Sequence, residues 1–315
     1  MLNEKLVPRR RHDCPELIRI GLMSDLHIEF EPSYWERIER RVRWGDPSLA
    51  AEALERRKAL LLEPGHPAEG PDLRDLKANG VHALLLPGDI HLGTNSIAYA
   101  DAAARYLGCA AYICAGNHEG YGRDLLVLIP ALREAAARTD ARVSFLERGR
   151  CTVEIRGRRL AILGATLWTD YRANGDEKLA MIVASRMLND HRLIGHGGSR
   201  FTPAHARAIH LETREWLGRE ALRVRDEADV VVIMTHHAPI PDANPQQHRG
   251  GELGPAFVSD LRAEILKWQP DVWAWGHTHY SMCGRLGRTE LVSAQRGYIG
   301  QEESAERFVP LVITI

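Results

Sequence analysis

Short apolar runs recur along the chain at residues 17–23, 81–86, 110–115, 159–164, 229–235, 271–275 and 308–315. Each is too short for a helix and is bounded by Gly, Pro or Asp, so each predicts a buried strand. Between them the spacing turns helical. Thr202-Pro203 offers an N-cap and a proline at the first helical position, predicting a helix that runs to about Arg225. Leu261, Ile265 and Leu266 repeat at helical spacing over 259–268, and Leu125, Leu126, Ile129 and Leu132 do so over 123–137. Alternating strands and helices predict a layered α/β architecture with parallel strands. Residues 32–75 break the alternation. They are rich in Glu and Arg and predict one or two amphipathic helices followed by a Pro/Gly loop. This insertion is either a solvated helical excursion or a cap or homo-oligomer contact beside whatever site the flanking strands carry.

Composition narrows the class. Of 315 residues, 44% are apolar and 26% charged, which excludes a disordered, collagenous or coiled-coil chain. A net charge of −1 argues against a protein held on nucleic acid or a membrane by bulk charge. No apolar run approaches the ~20 residues of a membrane span, and the basic start MLNEKLVPRRRHD has no apolar segment behind it. The expectation is a soluble, cytoplasmic, single-domain protein. Its five cysteines (Cys14, Cys109, Cys114, Cys151, Cys283) are odd in number and form no C-x-x-C pair, which predicts reduced thiols. Histidine, by contrast, occurs 15 times and clusters with Asp and Asn, the ligand set of Zn, Mn, Fe or Ni.

Five polar blocks each follow an apolar run: Asp25-Leu26-His27, Gly88-Asp89, Gly116-Asn117-His118-Glu119, His236-His237, and Gly276-His277-Thr278-His279. In an open α/β sheet ligands bind beyond the carboxyl ends of the strands. If these runs are neighbouring strands, the blocks converge on one rim, and one domain must hold them all. The donors are Asp25, His27, Asp89, Asn117, His236, His277 and His279. Seven is too many for one catalytic transition metal, which takes three or four protein ligands. The number suits two ions ~3.5–4 Å apart that share a bridging carboxylate and clamp an in-line displacement at phosphorus. His237 adjoins His236, and alternate strand residues face opposite ways, so only one of the two reaches an ion.

The ordered set D-x-H, G-D, G-N-H-E, H and G-H-x-H resembles the calcineurin-like metallophosphoesterase superfamily. The phrases THHAPIP, AWGHTHY and QRGY are similar to a bacterial branch of predicted phosphohydrolases. The resemblance implies a four-layer αββα sandwich with two mixed sheets. It implies that Asp25, His27 and His279 hold one divalent transition metal, that Asp89 bridges, and that Asn117, His236 and His277 complete the second site. Manganese is the first expectation for both ions, with Fe, Zn and Ni as alternatives. His118 would bind no metal and would assist the leaving group, while metal-activated hydroxide attacks the phosphorus of a small phosphodi- or phosphomonoester. Glu119 stands where many members carry Asp. A nuclease or nucleotide pyrophosphatase is the alternative on the same scaffold, though the charge balance gives a nucleic-acid groove no support. A non-catalytic scaffold protein would lack several of these residues.

Weaker candidates surround the set. Tyr121, just beyond G-N-H-E, and Asp190 and His191 in LNDH, polar groups just past an apolar run or helix, are candidates for substrate contact. Trp168, Asp170 and Tyr171 share that position, and caps or surface networks also explain such clusters. His91 in G-D-I-H either orients a metal ligand or begins the next element.

Overall fold

The computed structural model describes residues 17–43 and 49–315, so Cys14 and the basic N-terminal stretch lie outside the described residues. The chain runs β1 (Arg19–Leu22), α1 (Glu31–Arg43), α2 (Leu49–Leu62), α3 (Arg74–Ala78), β2 (Ala83–Pro87), α4 (Asn95–Leu107), β3 (Ala110–Cys114), α5 (Leu125–Ala137) and β4 (Val143–Phe145). It continues with β5 (Gly149–Ile155), β6 (Arg158–Ala165), α6 (Glu177–Met187), α7 (Asp190–Leu193), β7 (Gly195–His196), β8 (Ser199–Arg200), α8 (Pro203–Val224) and β9 (Val230–Thr235). The last elements are α9 (Arg262–Trp268), β10 (Val272–Trp275), β11 (Met282–Leu286), β12 (Thr289–Ser293), α10 (Glu303–Glu306) and β13 (Leu311–Thr314).

Two large mixed sheets result. One has the order β13-β1-β2-β3-β4, parallel except for β13; the other is β11-β12-β10-β9-β6-β5, parallel except at its two edges. β7 and β8 form a small separate pair.

Side-chain alternation along the strands sorts the core into layers. Ile20, Leu22, Leu85 and Tyr112 of the first sheet meet Ile162, Val230, Val232, Met234 and Val272 of the second. The opposite face of the first sheet, with Leu84, Leu86 and Ile113, packs under α4 and α5 through Ile97, Ala100, Leu128 and Leu132. Val231, Ile233 and Trp273 on the far side of the second sheet pack under α8 and α9 through Leu217, Val224, Ile265 and Trp268. Helix, sheet, sheet, helix is the four-layer sandwich that the resemblance implies. Strands buried on both faces explain why they read as unbroken apolar runs.

Helix starts follow local chemistry. Thr202 caps α8 by accepting from the His205 backbone N–H, and the His205 side chain returns a bond to Thr202 N–H. Asp124 caps α5 by accepting from Leu126 N–H at 2.9 Å. The four cysteines among the described residues are unpaired, and none of the described helices is long and apolar enough to cross a membrane.

The insertion is not simply solvated. α1 buries Tyr34 and Ile38 against Ile299 and Ala305 near the C-terminus. Glu31, at the start of α1, pairs with Arg296 in a buried contact and accepts from Gly70 N–H at 3.0 Å. This fastens the insertion to the 296–302 segment. A buried ion pair is stable only when both partners are present, so it ties the two segments into one arrangement.

Candidate metal centre

All five polar blocks sit at carboxyl ends of parallel strands, but they come from two sheets. β1, β2 and β3 deliver the first three and β9 and β10 the last two, so the rim is the joint between sheets rather than the edge of one. Turning five of the seven candidate donors inward takes unusual backbone. Asp25, His27, Asp89, His277 and His279 all adopt left-handed conformations, with φ of 52°, 45°, 54°, 75° and 49°. A non-glycine residue held there costs about 1–3 kcal/mol, and such strain collects at functional sites. Glycines give the carboxylates room: a Cβ on Gly276 would lie 2.6 Å from Asp25 Oδ2, and one on Gly116 would overlap Asp89 Oδ1.

The donors form two cradles. In one, Asp25, His27 and His279 bring ligand atoms within 4.8 Å of one another; in the other, Asp89, His236 and His277 do the same. His27 Nε2 and His279 Nε2 are 3.0 Å apart. His236 Nε2 lies 3.1 Å from His277 Nδ1 and 2.9 Å from Asn117 Oδ1. Asp89 stands between the cradles, with Oδ2 3.8 Å from His27 Nε2 and Oδ1 3.5 Å from His236 Nε2. Asp25 is fixed by Ser24 Oγ–H at 2.6 Å and His277 N–H at 2.8 Å.

The outward contacts determine what faces inward. His236 donates Nδ1–H to Pro87 O at 2.9 Å, and His279 donates Nδ1–H to Glu302 Oε1 at 2.7 Å. Their Nε2 atoms therefore carry lone pairs. Asn117 Nδ2 donates to Asp190 Oδ1 at 2.9 Å and to Tyr121 Oη at 3.0 Å, which leaves its carbonyl oxygen facing His236. Lone pairs converging at 2.9–3.1 Å repel unless a cation lies among them. The donor set thus fits two divalent metal ions, and imidazole, carboxylate and amide oxygen suit borderline metals.

Electrostatics agree with this reading at three of the four histidines. Burial, reinforced by neighbouring imidazoles, holds His236 and His277 well below the ordinary histidine range, keeping them neutral as metal ligands must be. Burial likewise lowers His27. Burial alone would also lower His279, but its bond to Glu302 and the charge of Asp25 outweigh that and raise it. Burial, with Glu119 and Asp25 as like charges, pushes Asp89 well above the usual carboxylate range.

The remaining candidates fall into place around the cradles. His118 sits beside them, with Nδ1 2.8 Å from Glu29 Oε1 and Nε2 3.1 Å from Tyr298 Oη. Tyr121 Oη–H and Asn117 converge on the same Asp190 oxygen, so Tyr121 and Asp190 reach the site through the Asn117 amide. His191 contacts none of the cradle residues: it bonds Phe201 O through Nδ1 and approaches Tyr171 Oη at 3.4 Å. His237 donates to Thr166 O and lays its ring 4.1 Å from that of His277. His91 lies at the rim, 3.9 Å from Glu29. Glu119 accepts from the backbone N–H groups of Asp89, Ile90 and Gly116, locking two ligand loops together.

Glu29, Tyr298 and Glu302 escape the sequence reading. Glu29 stands two residues past His27, and Tyr298 lies inside QRGY, but nothing in the sequence alone pairs either with His118.

Replacing Asp190 by Ala should free the Asn117 amide to rotate and weaken the second cradle about 10–100-fold, the usual effect of losing an outer partner. At limiting manganese, elemental analysis should then find about one ion per chain, where about two are expected in the unaltered chain. Equal metal content in both proteins would contradict the role given to Asp190.

The family model for calcineurin-like phosphoesterases matches residues 18–281. Among solved structures, the phosphopantetheinyl hydrolase of Mycobacterium tuberculosis is similar over 96% of this chain and 97% of its own, with a TM-score of 0.59 at 15% identity. A dimetal phosphatase from Danio rerio is similar over 90% of this chain and 88% of its own, at 13% identity and a TM-score of 0.46. No curated protein sequence matches. With the family model covering most of its length and both donor cradles in place, this chain belongs to the calcineurin-like phosphoesterases, metal-dependent hydrolases of phosphoric esters.

Proposed function

We propose that the protein hydrolyses small phosphodi- or phosphomonoesters with two divalent ions, manganese first among them, in the cytoplasm. The observation that carries this reading is Asp89, whose two carboxylate oxygens face different donor cradles. Asp25, His27 and His279 would hold one ion and Asn117, His236 and His277 the other. When bound, the pair supplies Lewis-acid polarisation of phosphoryl oxygens and lowers the pKa of water. The chain's own residues do the rest. Rigid loops fix the donors, and His118 stands outside both cradles, its Nε2 held 3.1 Å from Tyr298 Oη, a contact the departing oxygen would replace. Hydrolysis joins a water oxygen to phosphorus, breaks the P–O bond to the leaving group and moves one proton net onto that group. His118 Nε2 is placed to hand over that proton.

Four unpaired cysteines among the described residues support a reducing compartment. The net charge of −1 gives nucleic acid no electrostatic preference as substrate. The insertion, fastened by α1 to the 296–302 segment, is the proposed homo-oligomer contact.

The test pairs elemental analysis with hydrolysis of bis(p-nitrophenyl) phosphate and p-nitrophenyl phosphate in added Mn²⁺. About two metals per chain and chelator-sensitive turnover are expected, and the ratio of the two rates assigns diester or monoester preference. Less than about one metal after reconstitution, with neither ester hydrolysed, would overturn the reading. A phosphopantetheinyl ester belongs in the same panel, because the phosphopantetheinyl hydrolase shares the fold along nearly its whole length.

Stability should depend on pH in a direction set by the buried histidines. Burial lowers His27, His191, His210, His236, His237 and His277, which outnumber the ligand-loop carboxyls it raises, Asp25 to about 6, Glu119 to about 7, and Asp89. Between about pH 5 and pH 6.5 the unfolded chain therefore binds more protons than the metal-stripped folded chain, so stability rises as pH rises across that window. Manganese needs the same donors deprotonated and should steepen the rise. Thermal unfolding at about pH 5 and pH 7, with chelator and with manganese, reads the effect. A melting temperature in chelator that falls as pH rises would contradict it.

A further inference from the structure

His118 is held from both sides by residues outside the two cradles. Its Nδ1 lies 2.8 Å from Glu29 Oε1, and the same oxygen lies 3.5 Å from His27 Nδ1. Its Nε2 lies 3.1 Å from Tyr298 Oη. The Tyr298 ring packs 4.4 Å from the ring of His27 and 4.7 Å from that of His279, and Phe30 stands perpendicular to it at 5.4 Å. Tyr298 N–H donates to Glu302 Oε1 at 3.2 Å, the oxygen that also takes the proton of His279 Nδ1. The loop bearing the phenol is thus fixed by the partner of a cradle histidine, and the buried Arg296–Glu31 pair ties it to α1.

We propose that Glu29 and Tyr298 are positioning residues for the leaving-group step, Glu29 fixing His118 so that only Nε2 faces the ester, and Tyr298 holding that nitrogen on the line the departing oxygen takes. An imidazole offers two nitrogens and two ring orientations, and a leaving-group proton is useful from one of them only. A carboxylate at 2.8 Å makes a charge-assisted bond to Nδ1–H and selects that orientation. Tyr298 Oη accepts from Nε2 when Nε2 carries the proton and donates to it when it does not, so either protonation state keeps the same line. Glu29 also faces His27, which puts one carboxylate behind both a cradle imidazole and the leaving-group imidazole. The proton site and the first cradle are thereby held in one register. Both side chains act through His118, so neither is catalytic in itself.

The pair deepens the phosphoesterase reading and rests on it. Its test uses full-length protein at saturating manganese and two phosphodiesters that differ only in leaving group, p-nitrophenol or phenol. The poorer leaving group needs the proton more. Tyr298→Phe and Glu29→Ala should each lose about 10²-fold on the phenyl ester and much less on the p-nitrophenyl ester. Glu29→Asp, which keeps a carboxylate, should recover part of the loss. Equal losses on both esters, or none, would overturn the proposal, since a general structural role moves both rates together. A second readout does not need turnover. In zinc-loaded protein carrying ¹⁵N-histidine, NMR should show His118 Nδ1 protonated and hydrogen-bonded in the unaltered chain, whether or not Nε2 also carries the proton for the leaving group, and a shifted tautomer balance in Glu29→Ala. An unchanged balance would overturn the role of Glu29. If the unaltered chain binds both metals yet hydrolyses neither ester, the functional reading fails, and the NMR comparison still decides the positioning.

Discussion

Asp89→Ala is expected to strip both cradles and reduce turnover by at least ~10³, because two-metal polarisation is worth several kcal/mol and each 1.36 kcal/mol is tenfold in rate. Asp89 faces both cradles: Oδ2 approaches His27 Nε2 at 3.8 Å and Oδ1 approaches His236 Nε2 at 3.5 Å. Oδ1 also accepts from His118 N–H at 2.8 Å, so the loss reaches the leaving-group side as well. Asp89→Asn makes the sharper comparison. An amide keeps one oxygen for one cradle and turns a donor toward the other, so about one ion per chain is expected to survive. Elemental analysis after gel filtration checks both variants. Two ions per chain in Asp89→Ala, with turnover unchanged, would remove Asp89 from the bridging position.

The second large effect is expected at His118. Replacing it by Ala should leave the metal content of the unaltered chain intact while turnover drops about 10²–10⁴-fold, the usual worth of positioned proton transfer. Metal should survive because Nδ1 of His118 is taken by Glu29 and Nε2 by Tyr298. His118 does share a neighbourhood with His27 and Glu29 in which three ligand atoms lie within 4.8 Å, so a ligand role is a real competitor. Loss of one metal equivalent in His118→Ala would decide for that competitor. Retained metal with reduced turnover, the loss growing as the leaving group worsens, would decide for the leaving group.

Much of the fold was legible because its central strands are buried on both faces. β2, β3, β9 and β10 are apolar at nearly every position. Two edge strands carry no such signal. β5 alternates half-buried and exposed residues, and β11 is largely exposed, so neither forms an apolar run. The start of α8 was legible because Thr202-Pro203 is a local cap, whereas the segment 259–268 becomes helical only from Arg262.

The sequence by itself determined the donor inventory and its order. Asp25, His27, Asp89, Asn117, His236, His277 and His279 each follow a strand end, where side chains leave the sheet together. Tertiary structure decided everything that depends on direction. Which strands share a sheet, and that the cradles form at the joint of two, follows from packing between faces that look alike as sequence. Only the folded chain turns the Asn117 oxygen inward, by giving its amide hydrogens to Asp190 and Tyr121. Only the folded chain sets Glu29 and Tyr298 on opposite nitrogens of His118. Residue type and spacing fix which groups are available, but a hydrogen bond depends on distance and angle, and those arise from contacts between segments far apart in the chain.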